Sequence, residues 1–99
     1  MLHTVNKSPF ESRALESCLK FARKGSAVLL IEDGVYAVAR GTAVSAAVEQ
    51  AMKEVSIYAL APDVAARGMQ SRVMDGVRLV DYGGFVDLVV EHNAVQSWL

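Results

Sequence analysis

Short unbroken apolar runs alternate along this chain with stretches in which apolar residues recur at helical spacing, and this predicts strands and helices in turn. Leu2, Thr4 and Val5 have β-prone character before a turn at Asn6-Lys7. Ser8-Pro9-Phe10-Glu11 then reads as a helix start. Ser8 can accept from a backbone N–H three residues on, Glu11 can reach back, and Pro9 loses no hydrogen bond in the first turn. The helix is expected from Pro9 to about Lys24, with Gly25 as a left-handed stop. At about 100° per residue, Ala14, Leu15, Cys18, Leu19, Phe21 and Ala22 share one arc. Arg13, Glu16, Ser17, Lys20, Arg23 and Lys24 share the other.

The pattern repeats downstream. Ser26-Ala27-Val28-Leu29-Leu30-Ile31 is a continuous apolar run ended by Glu32-Asp33-Gly34, as expected of a strand covered on both faces. Val35 to Ala39 reads as a helical turn, and Thr42 as the cap of a second helix reaching about Glu54 with Val44, Ala47, Val48, Ala51 and Met52 inward. Val55 to Leu60 is a third strand. Pro62 opens a short helix ended by Gly68, and Met69 to Gly76 reads as a polar connection. Val77 to Val80 is a fourth strand, and Asp81 caps a last helix in which Phe85, Leu88, Val89 and His92 share a face. The tail carries the only tryptophan, Trp98, beside Leu99; such an apolar end either folds back onto the core or docks on a partner. The alternation predicts one α/β domain over residues 1–99, a three-layer α/β/α sandwich on a largely parallel sheet of about four strands.

Composition sharpens the picture in two ways. Hydrophobic residues make up 53% of the 99 before the seven glycines are counted, above the about 45–50%, glycine included, of ordinary soluble domains. A small domain this apolar is expected to cover some of its excess with other chains. Ten basic and eleven acidic residues leave a net charge of −1, without the basic footprint or stacking aromatics that direct nucleic-acid binding needs. No apolar stretch is long enough to cross a bilayer, and the opening strand lacks the form of a signal peptide. With one cysteine and therefore no internal disulfide, the cytoplasm is the expected compartment.

Candidate chemistry is sparse. No phosphate-binding glycine loop, nucleophile elbow or metal-ligand spacing is present, and no cofactor is expected. His3 and His92 read as structural histidines, and Asp33 and Asp81, both after strands, as turns or caps as readily as ligand contacts. Cys18 is the one residue with a reactive atom. It lies on the apolar arc, none of its helical neighbours is cationic, and it sits roughly 15 Å from the predicted cap, so nothing local lowers its pKa. A core filler and a sulfur-handling or carrier-docking thiol are both open readings. With partial cover from a subunit interface, intermediate exposure is expected.

Six blocks in order carry a resemblance to a known family. They are Leu2 to Phe10, Leu15 to Phe21, Glu32 to Ala37, Ala66-Arg67-Gly68, Asp81 to Leu88, and Ala94 to Leu99. Together they resemble the DsrH/TusB family. The resemblance implies a DsrE-like fold and a place in a cytoplasmic sulfur-relay hetero-oligomer that passes persulfide sulfur between cysteines. It implies partners of the DsrE/TusD and DsrF/TusC types and a downstream carrier of the DsrC/TusE type; direct contact to nucleic acid or membrane is not expected from the charge and hydropathy of the chain. The pathway is either 2-thiolation of the tRNA wobble uridine or intracellular sulfur oxidation. The principal sulfur-accepting cysteine belongs to the DsrE/TusD partner. Cys18 matches a cysteine of DsrH sequences that many TusB sequences lack, which inclines the match to DsrH. Trp98 and Leu99 are the candidate partner contacts. Alternatively the chain is a non-catalytic structural or docking subunit in which Cys18 is only a core residue.

Overall fold

The computed structural model, which describes residues 1–99, has five parallel strands: β1 Leu2–Val5, β2 Ala27–Leu30, β3 Ser56–Leu60, β4 Arg78–Val80 and β5 Val95–Trp98. Their order across the sheet is β4-β3-β2-β1-β5. The fifth strand is the tail, which folds back rather than projecting, so the sheet is one strand wider than the sequence pattern indicated. Val95-Gln96-Ser97-Trp98 is too short and too polar to read as a strand alone. It pairs with β1 in the register Leu2↔Val95 and Val5↔Trp98.

Four helices flank the sheet: α1 Ala14–Phe21, α2 Ser45–Ala51, α3 Ala61–Ala66 and α4 Tyr82–Glu91. A 3-10 segment, Glu32–Val38, follows β2. The layers follow from strand alternation. Val5, Val28, Leu30, Ile57 and Ala59 point to one face, where they meet Leu15 and Cys18 of α1, Val35 and Val38 of the 3-10 segment, Val48 of α2 and Val64 of α3. Leu2, Ala27 and Leu29 point to the other face and meet Leu88, with Phe85 packed alongside. All four residues of β2 are buried, as the uninterrupted run anticipates.

Helix boundaries depart from the sequence pattern where local hydrogen bonding competes. Pro9, Phe10 and Glu11 form a turn and Ser12 and Arg13 are not helical, so the expected first turns of α1 are missing. The Glu11 and Ser12 N–H groups donate to the Ser8 carbonyl, and Ser8 Oγ accepts from Phe10 N–H rather than capping. Ser12 Oγ takes over near the helix start, accepting from Ala14 N–H at 3.1 Å. The helix stops at Phe21, since Ala22 is already extended (ψ 130°). Gly25 is left-handed as expected, but in a turn whose N–H reaches the Glu54 carbonyl. Helix α2 likewise begins at Ser45, because Thr42 and Ser45 bond each other's side chains in a preceding turn. The segment 69–76 is more than a polar connection. Met69 and Met74 are buried, and Met74 N–H donates to the Val38 carbonyl at 2.8 Å.

The crossover from β4 to β5 runs beneath the whole sheet and is the only helical layer on that face. Running back along the strands, α4 is about 10–12 Å across with its side chains, against a sheet roughly 19 Å wide at about 4.8 Å per strand. That face is therefore covered at its centre and open at its sides.

Candidate functional site

Cys18 sits in the second turn of α1, on its buried side, and its exposure is 0%. The expected intermediate exposure is not found. The sheet and the helices packed beside α1 close over the thiol without help from another chain. Burial pushes the Cys18 pKa up to about 12, and desolvation is its cause. At neutral pH the thiol is therefore held in its protonated form. The thiol is thus sealed from solvent and held protonated, the opposite of the electropositive, accessible setting of a sulfur-transfer nucleophile.

Trp98 is half-buried against the same core. Its indole N–H donates to His3 Nδ1 at 3.1 Å, and its ring meets Phe21 edge-on at 5.7 Å. Phe21, expected on the buried arc of α1, is 64% exposed because α1 ends there and its ring reaches over the β5 edge of the sheet. His3 is buried and its pKa is lowered, first by desolvation and then by the N-terminal ammonium. A neutral imidazole with an acceptor Nδ1 is what the indole requires. Leu99 lies beyond the last strand and is 83% exposed.

At the carboxyl ends of the strands, where open α/β sheets receive ligands, the side chains are committed to one another. Arg67 donates through Nε and Nη2 to Asp33 Oδ1 at 3.1 and 2.8 Å, and through Nη1 to the Asp63 carbonyl. Glu32 has a left-handed backbone (φ 50°), and its N–H is taken by Asp63 Oδ2 at 2.6 Å. Asp81 Oδ1 accepts from Gly84 N–H at 2.8 Å, a helix cap as the sequence suggested. His92 Nδ1 is bonded to the Leu88 carbonyl. No three His, Cys, Asp or Glu side chains converge on a metal-sized site.

The open surfaces are of another kind. A groove of about 960 Å³ between α1 and α2 has an apolar floor that includes Leu15, Leu19, Ala47 and Ala51, with Phe10 at its mouth. Its rim carries both signs of charge, Glu11, Glu16 and Glu54 with Arg13 and Lys20. The second surface is the outer side of α4, where Tyr82, Val86 and Val90 are exposed. Sequence reasoning assigned a buried face to α4 and missed this one. The signal was present, since Tyr82, Val86 and Val90 are spaced by four and a helix with a second apolar stripe opposite its buried face needs cover on both.

Comparison with known proteins gives one consistent result. A family model described as "DsrH like protein" matches residues 7–95. "Protein TusB" of Pectobacterium carotovorum subsp. carotovorum (strain PC1) is 39% identical over 99 residues, covering 99% of this chain and all of that one. "Protein TusB" of Escherichia coli (strain K12 / DH10B) is 33% identical over 98 residues with the same coverage. Among solved structures, the ychN protein from E. coli superposes with a TM-score of 0.83 over 97% of each chain at 18% identity. Protein MTH1491 from Methanobacterium thermoautotrophicum superposes with a TM-score of 0.74 at 20% identity. These structural likenesses bear on the fold alone.

Proposed function

Because the chain belongs to the DsrH family, together with TusB proteins that it matches end to end, we propose that it is a subunit of a cytoplasmic sulfur-relay hetero-oligomer and does not itself carry the sulfur. The observation that carries the second half is the burial of Cys18. In a relay step a thiolate attacks the outer sulfur of a donor persulfide. The donor S–S bond breaks, a new S–S bond forms on the acceptor, and the donor thiolate leaves to take up a proton. Each step needs an ionised acceptor that the incoming persulfide can touch, and Cys18 supplies neither.

The sulfur therefore travels on thiols of partners of the DsrE/TusD type and on a carrier of the DsrC/TusE type. This chain completes the assembly with them and with a DsrF/TusC-type subunit. Of the two pathways, 2-thiolation of the tRNA wobble uridine is favoured. The match to the TusB proteins runs over their full length, and a core cysteine removes the reason for preferring the sulfur-oxidation branch. Leu99, exposed next to the half-buried Trp98, remains the proposed contact of the tail with a partner.

Co-expression with the two sister subunits tests the assembly. A single stable complex by size-exclusion chromatography is expected, and a monomer that ignores both sisters contradicts the proposal.

A further inference from the structure

The fold leaves α4 with its polarity inverted. Its inward side is narrow, with Leu88 buried and Gly84 and Phe85 partly so. On the opposite side, Tyr82 is 62%, Val86 60% and Val90 80% exposed, one turn apart in a line along the helix. An ordinary surface helix carries its charges there. Here the charges, Asp87 and Glu91, are one turn apart along a single flank at about 140–180° from Tyr82 at about 100° per residue. The other flank carries Val89, itself exposed. The outward face is therefore an apolar stripe with an acidic border on one side only.

That asymmetry selects an occupant. A second copy of this chain fits badly in either two-fold arrangement. Packing α4 on α4 in antiparallel fashion brings the two acidic borders to the same side, carboxylate against carboxylate. Packing them in parallel sets Asp87 and Glu91 of each copy against the Val89 flank of the other, where carboxylates lose water without a partner. An anionic membrane surface is disfavoured by the same acidic border. A helix from a different chain, with an apolar stripe and Lys or Arg along one border, matches both features.

We propose that the outward face of α4 seats such a helix, Tyr82, Val86 and Val90 supplying the apolar contact and Asp87 and Glu91 pairing with cations of the partner. This rests on the hetero-oligomer reading, since the sister subunits are the chains that would supply the helix.

The test is co-expression of this chain with both sister subunits, comparing wild type, Val86→Asp/Val90→Asp and Asp87→Lys/Glu91→Lys. A Phe10→Asp variant at the α1–α2 groove serves as control. All four substituted side chains on α4 are exposed, and circular dichroism with thermal melting checks that each variant folds. Wild type and Phe10→Asp are expected to co-purify with the sisters. The valine variant is expected to lose at least one sister, and the charge-reversed variant to bind at least tenfold more weakly in low salt, with the difference shrinking as salt rises. If folded α4 variants assemble as wild type does, the inference is overturned while the hetero-oligomer reading stands. If wild type itself fails to assemble, the underlying reading has failed. A wild-type homodimer broken by the valine substitutions, or wild-type binding to phosphatidylglycerol vesicles through this face, also overturns the inference.

Discussion

Trp98 and His3, 95 positions apart in sequence, are joined across the two outermost strands on one side of the sheet by an indole N–H donated to imidazole Nδ1 at 3.1 Å. This bond fastens β5 to β1 through side chains as well as through the ladder, and it exists only while Nδ1 is unprotonated. Trp98→Phe keeps the ring against Phe21 and removes the donor. It is expected to cost about 1 kcal/mol in urea unfolding.

The same bond makes stability depend on pH. The His3 pKa is lowered from 6.5 in the folded chain, so as pH falls the unfolded chain takes up the proton first. The contribution is complete above about pH 6.5 and is lost as pH drops below that value towards the folded pKa. Comparing unfolding midpoints at pH 7.5 and 5.5, wild type is expected to lose more stability than His3→Gln. Equal losses in the two contradict the assignment.

Gly34 is expected to tolerate no side chain. It lies in the 3-10 segment after β2, where a Cβ would collide with the carbonyl oxygen of Val5 and sit 3.0 Å from its carbonyl carbon. That carbonyl accepts from Ile31 N–H at the carboxyl ends of β1 and β2 and is not free to shift. Gly34→Ala is expected to lower stability by about 2–3 kcal/mol, read from the urea midpoint.

Asp81 holds the first turn of α4 through Gly84 N–H. Asp81→Ala is expected to cost about 1 kcal/mol, and Asp81→Asn, which keeps the acceptor, clearly less. Thermal melts of the three proteins check the order. Equal losses in the two variants would show that the charge, and not the hydrogen bond to Gly84, stabilises the helix start.

The sequence pattern resolved the layers and not the edges. β2 and β3 were legible because central parallel strands are apolar on both faces, and Asp81 because a cap residue precedes an apolar period. The tail was not legible, for Gln96 and Ser97 lie on an edge strand where polar side chains meet solvent, and only pairing with β1 makes them a strand. The start of α1 was misplaced because Ser8 and Ser12 compete for the same turn, and sequence does not say which hydroxyl wins. Cys18 was placed on the correct face of its helix. How completely that face is sealed depends on α2, the 3-10 segment and the sheet arriving together, which no local period encodes.

The claim that Cys18 is a core residue of a non-carrier subunit is tested most directly by mapping sulfane sulfur in the working complex. The assembled subunits, trapped during turnover with a thiol-blocking reagent, would be digested and each cysteine read by mass spectrometry. Persulfide is expected on a partner's cysteine, with Cys18 unmodified and unreactive until the chain is unfolded. A persulfide on Cys18 of the native complex would contradict it.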